Sequence, residues 1–221
     1  MKRPHTSADW QTFIRANTKL LAPPLVPEVK LHLAEESLPI WQKTEEELGE
    51  MNIPPPYWAF AWAGGQALAR YLLDNPSIAR GRNVLDLGSG SGLTAIAARL
   101  SGARAALATD IDAVALVAIA MNAAANGVEV ATTTEDVLDG GLGTAGVVLV
   151  GDLFYERALA TRTLTFLDAC KAAGASVLVG DPQRAYFPKD RFEAVAEYRV
   201  PVTRELEDAE IKNAAVWRLR A

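Results

Sequence analysis

The residues best suited to chemistry are concentrated in Val84-Leu85-Asp86-Leu87-Gly88-Ser89-Gly90-Ser91-Gly92, where an apolar run ends on an acid and three alternating glycines. In open parallel sheets ligands bind beyond the carboxyl ends of the strands, and glycine lets backbone approach a ligand with no Cβ between them. A tight strand-to-helix turn without a ligand needs fewer glycines. A dinucleotide fingerprint, G-x-G-x-x-G, spaces its last glycine for a pyrophosphate at a helix N-terminus. Here the spacing is Gly88-x-Gly90-x-Gly92, preceded by Asp86. A carboxylate there repels phosphates and attracts a ligand bearing an ammonium and a sulfonium. S-adenosylmethionine carries both and has no phosphate.

Further acids recur at matching points. Asp110 ends the next strand-like run, 24 positions after Asp86, with Ile111 beside it on the ligand side. A carboxylate there can accept from both ribose hydroxyls. Asp110 alone suits NAD equally well; Asp86 and the glycine spacing favour S-adenosylmethionine. Asp136, with Val137 next to it, follows the third strand and can take an adenine amino group or serve as a turn or cap residue. Asp152 follows Val147-Val148-Leu149-Val150-Gly151, so its carboxylate reaches the same sheet edge. Its alternative role is to cap the helix that begins after Glu156. Tyr155 can serve as packing, and Trp58 and Trp62 as core anchors. Hydrolysis has little support: Gly88-Ser89-Gly90-Ser91-Gly92 matches a nucleophile elbow in letters only, and neither histidine is near in sequence.

These residues need a scaffold, and the pattern around them supplies one. From residue 60 onward strand-like and helix-like runs alternate. The strands are Asn83–Leu87, Ala105–Thr109, Val128–Thr132, Val147–Val150 and Ser176–Val179. The helices are Ala63–Leu73, Leu93–Leu100, Asp112–Asn126 and Arg157–Ala172. Alternation of this kind implies parallel pairing with both faces covered, a doubly wound α/β sheet. Phe192–Val200 and Ala214–Leu219 suit a C-terminal antiparallel hairpin, which makes seven strands in a Rossmann-like sheet. Residues 1–57 differ in texture, being charged and punctuated by prolines. They are expected to form an N-terminal helical extension, with helices over Asp9–Leu21 and Ile40–Met51, ahead of a core spanning 58–221.

Composition narrows the classes. The chain has 221 residues, is 50% hydrophobic and 22% charged, and carries a net charge of −5, which fits one folded domain and disfavours a main role in gripping nucleic acid. One cysteine and two histidines exclude an internal disulfide and a Cys/His metal site. The longest apolar run, Ala113–Met121, has nine residues, against the roughly 18 that a bilayer span needs. With no targeting segment visible, a cytoplasmic protein working as a monomer, away from membranes, is expected.

The loop resembles motif I of the seven-strand, class I methyltransferases. A narrower resemblance rests on Pro55-Pro56-Tyr57-Trp58-Ala59-Phe60-Ala61-Trp62-Ala63-Gly64-Gly65-Gln66, on Asp86–Gly92, on Gly151-Asp152-Leu153-Phe154-Tyr155-Glu156 and on Gly180-Asp181-Pro182. Together these are similar to the protein-lysine methyltransferases of methyltransferase family 16. The resemblance implies an S-adenosylmethionine-dependent enzyme that methylates a protein lysine. The electron transfer flavoprotein β-subunit is the favoured substrate and a ribosomal protein the alternative. It also implies catalytic roles for Asp152 and Tyr155, as a D-x-x-Y element, and cofactor-side roles for Trp62, for the glycines that follow it, Gly64 and Gly65, and for Gly151. One segment departs from the family pattern: Gln183-Arg184-Ala185-Tyr186 stands where a second glycine is expected. Readings from other classes are a non-catalytic cofactor-binding interaction module and an NAD-dependent oxidoreductase.

Overall fold

A computed structural model of the chain describes residues 6–34, 55–140, 144–202 and 210–220. In chain order the elements are α1 (Ser7–Asn17), β1 (Lys19–Leu21), β2 (Leu31–Leu33), α2 (Ala63–Asp74), β3 (Asn83–Leu87), α3 (Leu93–Leu100), β4 (Ala105–Thr109), α4 (Ala113–Ala125), β5 (Ala131–Thr133), β6 (Val147–Gly151), α5 (Arg157–Ala172), β7 (Ser176–Asp181), β8 (Phe192–Pro201) and β9 (Ile211–Leu219). Seven strands form one sheet in the order β5-β4-β3-β6-β7-β9-β8. The first five are parallel, and β9 runs antiparallel to both β7 and β8. This is the doubly wound sheet with a C-terminal hairpin that the sequence implied.

Period-two alternation explains why the central strands are apolar along their length. Val147 and Leu149 of β6 belong to the core on one face, with Leu68 and Leu72 of α2 and Ile96 of α3. Val148 and Val150 belong to the core on the other, with Phe166 and Leu167 of α5. Both faces are covered, so neither set can be polar. Chain order reverses between β3 and β6, and the crevice outside their carboxyl ends is the expected ligand position for such a sheet.

Two local expectations are corrected. The helix drawn to Leu21 stops at Asn17, because Thr18 turns extended and its hydroxyl donates to the Ile14 carbonyl at 2.6 Å. Lys19–Leu21 then pairs antiparallel with Leu31–Leu33, a long-range choice that helical spacing does not reveal. The third strand begins at Ala131 rather than Val128. Gly127, at φ +65°, lets the Val128 N–H fold back to the Ala123 carbonyl, so Val128 is used to close α4. The expected helix over Ile40–Met51 lies outside the described residues. What is described of the front segment is tied to α4. Ile14 and Trp58 share a core with Val114, Ala115 and Ala118, and Asn122 Oδ1 accepts the His32 N–H at 2.7 Å.

Candidate active site

The loop after β3 is built on three left-handed glycines, Gly88, Gly90 and Gly92, with φ of +61°, +52° and +82°. A Cβ on Gly88 would sit 2.6 Å from the Leu153 side chain, so that position requires glycine on two counts. Asp86 holds the loop from beneath. Its Oδ2 accepts the Ser89 hydroxyl and, at 3.1 Å, the Ala95 N–H. Ala95 lies in the first turn of α3, whose N-cap, Gly92, supplies no side-chain acceptor. Asp86 therefore caps that helix from the strand. Burial pushes its carboxyl up to about 6, partly offset by hydrogen bonds from Ser89, Thr94 and Ala95.

The same device recurs on the other side of the switch point. Asp152, at φ +59° just past β6, accepts the Gly65 N–H on Oδ2 at 2.8 Å. Gly65 belongs to the first turn of α2, whose N-cap, Trp62, again has no capping side chain. The helix Asp152 caps is α2, not α5; Glu156 is the N-cap of α5 and makes no side-chain cap bond. Its other oxygen, Oδ1, accepts from Arg184 Nε at 3.0 Å and from Arg184 Nη2 at 2.7 Å.

Between the two acids opens a cavity of about 490 Å³, within the range of small-ligand sites. Eleven of the twelve residues singled out from the sequence border it: Trp62, Asp86, Gly88, Gly90, Asp110, Ile111, Asp136, Val137, Gly151, Asp152 and Tyr155. Gly92 is not among the bordering residues, and a Cβ on it would sit 3.1 Å from the Ile119 side chain. Asp110 binds the loop as well, accepting the Gly90 N–H on Oδ2 at 2.9 Å and the Asp112 N–H on Oδ1 at 3.0 Å. Burial raises its pKa. Ile111 is 77% exposed at the rim, an apolar side chain left uncovered beside an acid. Asp136 is a cap as well as a wall residue: Oδ1 accepts the Leu138 N–H and Oδ2 pairs with Arg162 at 2.8 Å, which lowers its pKa.

At the Asp152 end the wall is aromatic. Tyr57 lies 6.1 Å, centroid to centroid, from both Trp62 and Tyr155. Tyr155 is half-exposed and borders the cavity. Trp58, by contrast, is buried in the core shared with α1 and α4 and also reaches the cavity.

Three features of this end escape sequence reasoning. Arg184 was visible only as a departure from pattern. Gly64 and Gly180 press backbone to backbone, so that a Cβ on either would meet the other's carbonyl group. Asp181 is fully buried, with Oδ1 accepting the Arg184 N–H at 2.7 Å and Oδ2 without a hydrogen-bond partner among the described residues. Burial, with the Asp152 charge nearby, pushes its carboxyl up to about 7 from an ordinary 3.8. Between those values the folded chain holds a proton that the unfolded chain has released, so this group's contribution to stability falls as pH rises from about 4 to about 7. Asp181→Asn removes the titration. Its melting temperature relative to the parent is expected to rise between about pH 4 and about pH 7 and to level off above that. A difference that stays flat with pH would show that Asp181 is ionised in the fold.

Comparison with known proteins decides the family. The family model described as Ribosomal protein L11 methyltransferase (PrmA) matches residues 66–150. The electron transfer flavoprotein beta subunit lysine methyltransferase of Danio rerio is 39% identical over 217 residues, covering 95% of this chain and 83% of that protein. The chain belongs to this lysine methyltransferase family. The Homo sapiens member is 36% identical over 214 residues, covering 94% of this chain and 80% of its own length. Among solved structures, the ribosomal protein L11 methylase from Lactobacillus delbrueckii subsp. bulgaricus superposes with a TM-score of 0.55 at 20% identity, over 90% of this chain and 100% of that one. That likeness concerns the fold. The PrmA match ends at residue 150, immediately before Gly151-Asp152, so it covers the glycine loop and Asp110 but none of the Asp152 end. The family relatives span both.

Proposed function

We propose that this enzyme transfers a methyl group from S-adenosylmethionine to a lysine of the electron transfer flavoprotein β-subunit. The observation that carries the reading is the shared cavity. The loop that suits the cofactor and the Asp152–Tyr155 wall that suits a lysine face one another across it, in a chain 39% identical to a methyltransferase of that description.

The residues fit the cofactor. Gly88 and Gly90 hold a backbone cradle in which a Cβ on Gly88 would clash. Asp86 is buried and Asp110 partly buried, both with raised pKa values, and their hydrogen-bond partners are hydroxyls and backbone amides, not cations. A cationic ligand without phosphate relieves that arrangement. Asp110 would hold the ribose hydroxyls, Asp136 and Val137 the adenine edge, and the exposed Ile111 would cover a ring face. When bound, S-adenosylmethionine supplies a methyl group on a sulfonium, open to attack by an unprotonated amine.

The chain's own residues prepare that amine. A lysine's ordinary pKa is about 10.4, so it arrives as an ammonium. Asp152 attracts and orients that cation. The apolar and aromatic wall of Tyr57, Trp62 and Tyr155 excludes water and favours the neutral amine. Burial holds the Tyr155 hydroxyl above the ordinary tyrosine range, so it stays a neutral hydrogen-bond donor.

Asp110→Ala is expected to weaken S-adenosylmethionine binding about tenfold to a hundredfold, the scale of hydrogen bonds to a charged group. Calorimetric titration checks this, and unchanged affinity would remove Asp110 from the ribose role. The function itself is tested by incubating the enzyme with radiolabelled S-adenosylmethionine and purified electron transfer flavoprotein, then locating label by mass spectrometry. Label on a β-subunit lysine is the expected result. The PrmA match favours a second reading, a ribosomal-protein substrate. Ribosomal proteins in a parallel reaction separate the two, and transfer to neither overturns both.

A further inference from the structure

Among the described residues, the only non-glycine positions at positive φ are Asp152 (+59°) and Gln183 (+64°). They follow β6 and β7, adjacent parallel strands, and each serves the same ion pair. Strained backbone persists where the surroundings enforce it, and it concentrates at functional sites. Here it shapes a turn, Asp181-Pro182-Gln183-Arg184, closed by the Arg184 N–H on Asp181 Oδ1 at 2.7 Å. The turn sends the Arg184 side chain back over the cavity. Its Nε and Nη2 both reach Asp152 Oδ1, and its guanidinium carbon lies 5.3 Å from the centroid of the Trp62 ring.

A carboxylate beside an aromatic face is the chemistry that recognises an alkylammonium. Asp152 Oδ2 is committed to the Gly65 amide, so Oδ1 is the oxygen presented toward a substrate cation, and Arg184 sits on it. Arg184 itself borders the cavity.

We propose that Arg184 occupies the seat of the acceptor lysine's head group in the substrate-free enzyme and gives it up when the lysine arrives. This rests on the lysine-methyltransferase reading above. The occupancy solves a problem of burial: Asp152 is 7% exposed, and a bare carboxylate at that depth is costly. One cation then replaces another on the same oxygen, so the seat exchanges partners without an uncompensated charge. A guanidinium keeps its proton under all ordinary conditions, so it holds the seat without becoming the nucleophile. The departure at Gln183-Arg184 thus takes on a role: it places an unreactive stand-in for the substrate on the residue that receives the substrate.

Arg184→Lys turns the stand-in into a substrate. With S-adenosylmethionine and no protein acceptor, position 184 of that variant is expected to gain the mass of one to three methyl groups, at a rate independent of enzyme concentration. In each transfer the sulfur–methyl bond breaks, a nitrogen–methyl bond forms, the amine's extra proton passes to water, and the thioether departs. The parent enzyme stays unmodified at 184. Arg184→Ala leaves the seat open. Its KM for the protein substrate is expected to fall about tenfold, since the competent state no longer competes with an occupied one, while kcat changes less. n-Butylammonium should inhibit this variant competitively against the protein substrate and have little effect on the parent. A folded Arg184→Lys enzyme that methylates the protein substrate but not itself, together with an unchanged KM and no butylammonium inhibition in Arg184→Ala, would overturn the proposal. If Arg184→Lys does not fold, the Arg184→Ala readouts decide alone. A parent enzyme that methylates no lysine overturns the underlying reading instead.

Discussion

Asp152→Asn is expected to reduce methyl transfer by about a hundredfold to a thousandfold, the scale on which losing one preorganised electrostatic partner acts at a reaction centre. The asparagine retains an oxygen for the Gly65 N–H, so the first turn of α2 keeps its cap. What disappears is the negative charge on the side that faces Arg184 and the cavity. The lysine ammonium then loses its orienting partner, and the Arg184 guanidinium loses the carboxylate that balances it. S-adenosylmethionine affinity is expected to change little, because Asp86, Asp110 and the glycine loop are untouched. Single-turnover transfer measured alongside calorimetric cofactor binding separates the two effects. Near-normal turnover would remove Asp152 from the reaction. Asp152→Ala goes further, removing the cap as well as the charge, so a lower melting temperature should accompany its lost activity.

The second large effect is structural and sits one residue from a position expected to tolerate the same change. A Cβ on Gly64 would lie 2.2 Å from the Gly180 carbonyl oxygen, 2.6 Å from its carbon and 2.7 Å from Asp152 Oδ2. Two of these contacts are backbone, so no rotamer change relieves them; α2 must back away from β7. Gly64→Ala is expected to destabilise the fold by about 3 kcal/mol, at the upper end of overpacking costs. For a chain of this size that lowers the melting temperature by roughly 6–12 °C. Transfer should fall as well, because the displaced helix carries the amide that holds Asp152. Gly180→Ala meets the same wall from the other side, 2.0 Å from the Gly64 carbonyl oxygen. At Gly65 the nearest atom to a Cβ is Asp152 Oδ2 at 3.9 Å, so Gly65→Ala should be close to neutral. Equal melting temperatures for the Gly64→Ala and Gly65→Ala variants would show that the close approach of α2 to β7 is not obligatory.

The two substitutions probe one junction from different directions. Asp152, Gly65 and Arg184 form a chain of contacts linking the start of α2, the end of β6 and the turn after β7. Gly64 against Gly180 sets how closely the first and last of these approach. A reaction that depends on aligning an amine with a methyl group is sensitive to small displacements at such a junction.

The sheet, the glycine loop and the edge on which the acids gather are legible in the order of residues. These follow from local signals: apolar runs short enough to be strands, glycines at alternate positions after the first of them, and acids at or just past the ends of the runs. Parallel strands all point their carboxyl ends the same way, so Asp86, Asp110 and Asp152 had to converge once the strands were recognised. What those acids hold there depends on how the elements pack in three dimensions. Asp86 caps α3, the helix that follows its strand, whereas Asp152 caps α2, which lies far upstream of it in the chain, because Gly92 and Trp62 provide no acceptor. The β1–β2 pairing crosses a proline-rich turn, and the Gly64–Gly180 approach joins positions far apart in the chain. Arg184 reaches Asp152 across the ends of two paired strands, where Asp152 and Gln183 both adopt positive φ. Periodicity and propensity report on neighbours a few positions apart, whereas contacts of this kind depend on how strand ends and helix starts pack in space.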